Sequence, residues 1–200
     1  MSMNILVAGA TGKTGLHLVQ ELIDQGHRPT ALVRESSDTS ALPKGVALRH
    51  GDLTDLQAGV CDGMDAVVFA AGSGGSTGPE MTDKVDRDGA KRLVDLAQQA
   101  GVQRFVMLSS VGADQPAPSG EMAHYLKAKH EADEHLKASG MPYSIIRPVA
   151  LSDDGRGTDV ILGEEVDTSA TASRADVAHV LSVAATTGRF DGMAQNMQSA

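Results

Sequence analysis

Aromatic side chains and positive charge are both scarce in this sequence of 200 residues. Phenylalanine and tyrosine together make up 2% of the chain and tryptophan is absent, so the aromatic platforms on which single-stranded nucleic acids stack are missing. The formal net charge is −9, whereas binding to nucleic acid or to an anionic membrane surface depends on clustered lysine and arginine. These two shortages exclude a nucleic-acid-binding protein and a polybasic membrane-surface protein.

Cysteine is also scarce, because Cys61 is the only one in the chain. A disulfide framework, a cysteine-based zinc site and a redox pair of cysteines are therefore excluded, and Cys61 is predicted to be a small buried apolar residue. The histidines show no HxH or HExxH spacing, so no metal site is expected. The sequence contains neither a secretory signal nor an apolar run of about 18 to 20 residues, which predicts a cytoplasmic protein without membrane spans.

The sequence does contain a regular alternation of short apolar runs and longer amphipathic segments. Strands are predicted at residues 5–8, 30–33, 46–48, 66–70, 104–108 and 143–146, and helices at 13–25, 85–99, 122–138 and 175–185. Strands that are apolar on both faces and alternate with helices indicate an α/β fold, with a doubly wound, mainly parallel sheet and helices on both faces. We expect one domain over residues 1–200, in which residues 149–200 form a reduced C-terminal part on the substrate side.

Three glycines spaced three residues apart, Gly9, Gly12 and Gly15, lie between the first predicted strand and the helix that follows it. Gly9 allows a tight turn, Gly12 lets a diphosphate approach the backbone, and Gly15 lets the helix pack closely on the strand. The free N–H groups at the start of the helix attract the diphosphate. The motif therefore predicts a dinucleotide-binding loop, and the alternative is a glycine-rich turn without a ligand.

The residues after the second predicted strand bear on the choice between NADP(H) and NAD(H). Arg34 directly follows the apolar run, and its planar guanidinium suits a 2′-phosphate. Glu35 lies at about the distance from the glycines at which a carboxylate binds the ribose 2′-hydroxyl of NAD(H). We favour Arg34 facing the cofactor and Glu35 facing solvent, so that NADP(H) is preferred and NAD(H) is possible. Asp52 and Leu53 would flank the adenine, and a plain turn is the alternative for Asp52.

A tyrosine and a lysine four residues apart, Tyr125 and Lys129, share one face of the predicted helix 122–138. An ammonium beside a phenol stabilises the phenolate, so Tyr125 becomes a usable proton donor or acceptor, and Lys129 could also bind the nicotinamide ribose. Ser109 and Ser110 end the fifth predicted strand, where a hydroxyl could hold a substrate carbonyl. The alternative is a surface tyrosine on a solvated helix.

Taken together, several segments resemble the atypical short-chain dehydrogenases, and most of all their NmrA-like NAD(P)H-binding group, which includes biliverdin reductase B. These segments are residues 7–15, 32–37, 51–53, 101–106, 109–110, 147–148, 173–177 and 190–192. The resemblance implies a Rossmann-type fold that binds NADP(H), with Ser110 beside the nicotinamide. It also implies that Asp86 occupies the place of an asparagine that related extended enzymes combine with the serine, tyrosine and lysine. Biliverdin reductase B lacks the Tyr/Lys pair.

The leading hypothesis is an NADPH-dependent reductase of a small carbonyl, quinone or flavin-like acceptor, which would lie under the loop 72–75. The predicted catalytic residues are Ser110, Tyr125 and Lys129. The predicted cofactor contacts are Gly9, Thr11, Gly12, Lys13, Thr14, Gly15, Arg34, Ser37, Asp52, Leu53, Ala70, Ala71, Gly72, Ser109, Lys129 and Pro148. One alternative is a non-catalytic NADP(H)-binding redox sensor. A nucleotide-sugar epimerase or dehydratase is less expected, because few residues follow the sixth strand. The expected partner is a small-molecule substrate, and the expected state is a monomer or a homodimer.

Overall fold

The computed structural model describes residues 1–74, 77–157 and 159–200. Gly75, which belongs to the loop predicted to cover the acceptor, lies outside these residues. The strands are β1 Asn4–Ala8, β2 Arg28–Val33, β3 Ala47–His50, β4 Ala66–Phe69, β5 Arg104–Leu108, β6 Tyr143–Pro148, β7 Ala150–Ser152, β8 Val160–Leu162, β9 Thr171–Ser173 and β10 Met193–Ser199. The helices are α1 Lys13–Asp24, α2 Pro79–Thr82, α3 Ala90–Gln99, α4 Ala123–Ala138 and α5 Arg174–Thr187, and a π-helical segment at Asp83–Gly89 joins α2 to α3.

Eight of the strands form one sheet in the order β3-β2-β1-β4-β5-β6-β10-β8. Neighbouring strands run parallel, except that β8 pairs antiparallel with β10 at one edge. The strand order reverses between β1 and β4, because β2 and β3 lie on one side of β1 and the later strands lie on the other. At such a reversal the loops that follow the strands diverge and leave a crevice at the carboxyl ends. The predicted α/β fold with a doubly wound, mainly parallel sheet is confirmed.

Helices cover both faces of the sheet because side chains of each strand alternate between the two faces. On one face, Ile5 of β1 packs in a fully buried cluster with Leu18 of α1 and Leu181 of α5. On the other face, Leu6 packs in a second cluster with Leu93 of α3, to which α4 also contributes. The two apolar layers hold the sheet rigid, so the loops at its carboxyl edge are positioned by buried strands.

The C-terminal part of the chain contains more sheet than the sequence predicted. The strands β7, β8, β9 and β10 were not predicted, and β10 pairs with β6 through a register that joins Met193 to Ser144 and Met197 to Pro148. The sequence of β10 is mostly polar, and three of the other strands are only three residues long. Strands of this kind cannot be identified from the sequence pattern, because they have neither a long apolar run nor a clear alternation of apolar and polar residues. Only their pairing with a neighbouring strand in the sheet identifies them.

The start of the last helix was predicted from the local sequence and is confirmed. The side chain of Ser173 accepts a hydrogen bond of 3.0 Å from the backbone N–H of Asp176, which is the N-cap half of a capping box, while the backbone N–H of Ser173 donates to Ser199. The carboxylate of Asp176 in turn accepts hydrogen bonds from the backbone N–H of Gly157 and from the hydroxyl of Ser199. The cap therefore joins α5 to the last strand and to the loop before β8.

Cys61 is buried, as predicted, with 1% of its surface exposed. Burial raises the pKa of its thiol to about 12, and nearby Arg49 lowers it by less. We expect the native protein to react with an aromatic disulfide reagent on the order of a thousandfold more slowly than the unfolded chain, because only the thiolate attacks. The comparison is made at pH 7 with and without denaturant. Rapid labelling of the native protein would contradict the buried placement.

Candidate functional site

A cleft of 530 Å³ opens at the carboxyl ends of β1, β2, β3 and β4, where the strand order reverses. Ten of the predicted cofactor contacts line it: Gly9, Thr11, Gly12, Arg34, Ser37, Asp52, Leu53, Ala70, Ala71 and Gly72. Loops after four different strands therefore meet in one place, as expected for a ligand site in an open α/β sheet.

The glycine loop is shaped by close backbone packing. Gly9 has a φ of +83°, and a Cβ atom there would lie 2.6 Å from the Ala70 carbonyl oxygen. A Cβ atom on Gly15 would overlap the Gly9 carbonyl oxygen, so α1 can approach the end of β1 only with glycine at this position. Gly12 is the residue before α1, and no side chain caps its first turn. The free N–H groups of this turn fit a diphosphate.

The end of β2 places a cation on the wall of the cleft. Arg34 lines the cleft, and its backbone N–H donates to the hydroxyl of Ser37 over 3.0 Å. Glu35 points elsewhere, because its carboxylate lies 3.2 Å from the imidazole of His50 and it is not among the cleft residues. The guanidinium of Arg34 is therefore the charged group that an adenosine phosphate would meet on this side.

Asp52 forms a tight turn after β3, the strand next to β2. Its carboxylate accepts hydrogen bonds from the backbone N–H and the hydroxyl of Thr54, at 2.9 and 2.8 Å. These bonds hold the pKa of Asp52 below its usual value, and Arg34 adds a smaller effect in the same direction. Asp52 thus has the turn role that was the alternative interpretation, and it also lines the cleft beside Leu53.

Some predicted cofactor contacts lie beside the cleft without lining it. The Lys13 ammonium binds the carboxylate of Asp153, which also binds Arg174. Thr14 and Pro148 are buried, and Gly15 packs against β1. The ion pair through Asp153 brings the loop after β7 next to the glycine loop, so the C-terminal part of the chain borders the diphosphate end of the cleft.

A buried charged cluster around Lys129 lies behind the cleft wall and does not line the cleft itself. Lys129 is only 2% exposed, and its Nζ atom lies 3.0 Å from Oδ1 of Asp86 and 3.4 Å from the carbonyl oxygen of Leu108. The same Nζ atom is 5.6 Å from the ring centres of both Tyr125 and Phe69. Burial works to lower the pKa of Lys129, but the combined effect of Tyr125, Asp86 and Asp133 outweighs it and the pKa is raised. Tyr125 and Lys129 are therefore neighbours, as their spacing predicted.

Asp86 connects this cluster to the cleft. Its Oδ2 atom accepts a hydrogen bond of 3.0 Å from the backbone N–H of Ser73, which lines the cleft. A Cβ atom on Gly72 would contact Oδ1 of Asp86 at 3.4 Å. The carboxylate thus lies directly behind the loop that forms one wall of the cleft.

The two serines after β5 have different surroundings. Ser109 is buried, and its hydroxyl donates to Oδ2 of Asp133 over 2.9 Å, where the guanidinium of Arg147 also binds at 3.0 and 3.1 Å. Burial raises the pKa of Asp133, while Arg147 and the Ser109 hydroxyl act to lower it. The hydroxyl of Ser110 is half-buried and makes only a long contact of 3.4 Å to the Val111 carbonyl oxygen. The hydroxyl of Ser110 is therefore held less firmly than that of Ser109, which belongs to the core.

One wall of the cleft was only partly predicted from the sequence, since of its residues only Ser73 belongs to the loop 72–75 expected over the acceptor. This wall consists of Ser73, Thr77, Met81, Lys84 and Val85. We predicted an α-helix from Val85, but the structure has α2 from Pro79 and then the π-helical segment. Gly89 is the local sequence signal for this packing, because a Cβ atom there would lie 2.6 Å from the Leu53 carbonyl oxygen. The glycine lets the π-helical segment pack closely against Leu53, which lines the cleft.

The described residues contain no group of histidine, cysteine, aspartate or glutamate side chains arranged to hold a metal ion. In that same part of the chain, no helix has both the length and the apolar content needed to cross a membrane.

The sequence and the fold both match known proteins. The NAD(P)H-binding family matches residues 9–187. The chain is 38% identical over 165 residues to YhfK of Bacillus subtilis, an uncharacterized sugar epimerase, and the match covers 78% of this chain and 76% of YhfK. A Bacillus halodurans protein with the provisional name NAD-dependent epimerase/dehydratase is 34% identical, with a TM-score of 0.92 over 100% of this chain and 95% of its own.

A third relative carries the name of an oxidoreductase. The crystal structure of YlbE from Lactococcus lactis is 30% identical, with a TM-score of 0.87 over 99% of this chain and 91% of its own. The three relatives indicate the same kind of protein as the site does, with its cleft at the strand reversal and its glycine loop. The chain belongs to the NAD(P)H-binding family of Rossmann-fold, atypical short-chain dehydrogenase-like proteins.

Proposed function

We propose that this protein is an NADPH-dependent oxidoreductase that reduces a small carbonyl, quinone or flavin-like acceptor. The observation that carries the proposal is the continuity between the cofactor cleft and the Tyr125–Lys129 pair, which meet through the contact of Asp86 with Ser73. A protein that only bound a nucleotide would need the glycine loop but would have no use for a buried ammonium beside a phenol.

Each group of the site has a role in such a reduction. A bound nicotinamide supplies the hydride. Ser110 orients the acceptor through its hydroxyl, and Tyr125 donates a proton to the oxygen or nitrogen atom on which negative charge develops. Lys129 stabilises the phenolate that remains, because its ammonium lies 5.6 Å from the ring centre. Its contact with Asp86 makes Lys129 a partner of Tyr125 more than a ligand of the ribose.

The proposal is tested by following NADPH oxidation with a panel of small aldehydes, ketones, quinones and free flavins. Steady turnover with one class of acceptor is the expected result. Tight NADPH binding without turnover on any acceptor would favour the redox-sensor alternative. The names of two relatives favour a second candidate, a sugar epimerase or dehydratase, so nucleotide sugars are included in the panel. Conversion of a nucleotide sugar without net NADPH consumption would establish that activity instead.

Preference for NADPH is expected to depend on Arg34. Replacing it with alanine removes a charge-assisted contact to the 2′-phosphate worth about 1.5 to 3 kcal/mol, so Arg34→Ala should lose about 10- to 100-fold in NADPH affinity and little in NADH affinity. Thermal shifts measure this directly, because a ligand at 100 times its Kd stabilises by about 2.7 kcal/mol. Arg28→Ala, an exposed arginine at the opposite end of β2, is the matched control. Equal shifts by NADPH and NADH in the unmodified protein would contradict the role of Arg34.

We extend the proposal to the C-terminal part of the chain, which lies beside the site. Residues 149–200 form the substrate side in this proposal, and the ion pair between Lys13 and Asp153 joins them to the glycine loop. The protein acts in the cytoplasm on a small molecule, as a monomer or a homodimer. Size-exclusion chromatography with light scattering, with and without NADPH, distinguishes the two states.

A further inference from the structure

Asp86 is a fully buried carboxylate on the π-helical segment, with 0% of its surface exposed. Burying a charged group without a partner costs several kcal/mol, so a carboxylate in this position has to be compensated. π-Helical turns are rare and occur frequently at functional sites. A buried carboxylate on a π-helical turn therefore indicates that the contacts of Asp86 fix its position.

Its two oxygen atoms contact two different parts of the site. Oδ2 accepts the backbone N–H of Ser73 over 3.0 Å, at the wall of the cleft. Oδ1 lies 3.0 Å from Nζ of Lys129 and, among the described residues, has no aligned hydrogen-bond donor, so this contact is an ion pair. The carboxylate therefore holds the cleft loop with one oxygen atom and the ammonium with the other.

The other groups around the Lys129 ammonium cannot replace Asp86. From α4 itself, Tyr125 offers a ring 5.6 Å away, and Asp133 is already bonded to Arg147 and Ser109. From β5 the ammonium meets the carbonyl oxygen of Leu108 at 3.4 Å, and from β4 it meets the ring of Phe69. Among these, Asp86 provides the only negative charge in direct contact.

We propose that Asp86 is a positioning residue, which keeps the buried Lys129 charged and fixed beside Tyr125 while it holds the wall of the cofactor cleft through Ser73. The inference rests on the proposed function for its effect on turnover. Its effect on the charge of Lys129 is independent of any reaction. Asp86 acts through Lys129, and it does not itself touch the substrate.

The variant Asp86→Asn separates the two contacts. The amide oxygen of asparagine still accepts the Ser73 N–H, whereas the charge opposite Lys129 is lost. Without its closest counterion, Lys129 keeps the effect of burial, which acts to lower its pKa. Asp88→Asn removes a negative charge two residues away, where the carboxylate pairs with Arg87 at the surface, and serves as the matched control.

The primary measurement is NMR titration of isotope-labelled lysine side chains, with the Lys129 signal assigned from Lys129→Met. We expect the Lys129 signal to titrate at lower pH in Asp86→Asn than in the unmodified protein and in Asp88→Asn. NADPH affinity in Asp86→Asn should stay within about threefold, because the Ser73 contact is kept. An unchanged Lys129 titration in Asp86→Asn would overturn the proposal.

Turnover gives a second readout if the protein reduces an acceptor. As pH rises, Lys129 in Asp86→Asn loses its proton first, so kcat should fall toward alkaline pH by about tenfold relative to the unmodified protein. A profile parallel to that of the unmodified protein would also count against the proposal. If no acceptor is reduced by the unmodified protein, the proposed function fails, and the Lys129 titration still decides the role of Asp86.

The charge change could also prevent folding, and a double variant covers that case. Breaking one half of a buried ion pair is costly, whereas replacing both partners is often neutral. Asp86→Asn combined with Lys129→Met is therefore expected to be more stable than Asp86→Asn alone. If the double variant unfolds as readily as the sum of the two single variants, Asp86 and Lys129 are not coupled and the proposal is wrong.

Discussion

Replacing Tyr125 with phenylalanine is expected to lower kcat by about two to four orders of magnitude, which is the range for losing a general acid. The variant removes one hydroxyl and keeps the ring, which lies 5.6 Å from the Lys129 ammonium. The glycine loop and Arg34 are untouched, so the Kd for NADPH should stay within about twofold. Steady-state turnover and a separate binding titration measure the two effects. A loss confined to kcat places the hydroxyl in the transition state instead of in cofactor binding.

Tyr143→Phe is the matched control for this variant. Tyr143 is the only other tyrosine in the chain and packs at the start of β6, against the second apolar cluster and away from the residues that line the cleft. Its hydroxyl should be dispensable for turnover. An unchanged rate in Tyr125→Phe would remove Tyr125 from the mechanism. The proton would then come from solvent, as expected for the reduction of a flavin-like acceptor.

Replacing Gly15 with alanine is expected to destabilise the protein much more than the same replacement of Gly12 in the glycine loop. The new Cβ atom would overlap the carbonyl oxygen of Gly9 and would lie 2.8 Å from the Cα atom of Ala10, and these are backbone atoms at the end of a buried strand. Overpacking of this kind costs about 3 kcal/mol, or about 6 to 12 °C in Tm for a chain of this size. Differential scanning calorimetry measures the loss, and the stabilisation by NADPH should be largely lost as well.

Gly12→Ala is the variant with which Gly15→Ala should be compared. A Cβ atom on Gly12 would approach one atom, the Gly9 carbonyl oxygen, at 3.3 Å, which a small local shift relieves. We expect a Tm close to that of the unmodified protein but about tenfold weaker NADPH binding, since the methyl group occupies the surface that a diphosphate approaches. If Gly15→Ala keeps its stability and Gly12→Ala loses its own, the assignment of close packing to Gly15 is wrong.

The parts of the site that depend on local sequence were predictable. The glycine spacing indicates its turn because Gly15 meets backbone atoms of Gly9 and Ala10 within the same strand–loop–helix unit, whereas Gly9 packs against the backbone of Ala70, which follows β4. Tyr125 and Lys129 are neighbours because residues four apart share one face of a helix. Local sequence did not show that the hydroxyl of Ser109 is taken up by Asp133 in the core, because this contact depends on a residue 24 positions away.

The sequence by itself determined the class of protein, the α/β fold and the glycine loop. The features that did so are the scarcity of aromatic residues and of positive charge, and the alternation of apolar and amphipathic segments. These features depend on composition and on periodicity, which the sequence carries directly. The tertiary structure alone decided that Asp86 faces Lys129, that Glu35 turns away from the cleft toward His50, and that the polar strand β10 extends the sheet. Each of these depends on a partner far away in the sequence, which the chain reaches only once the sheet has formed.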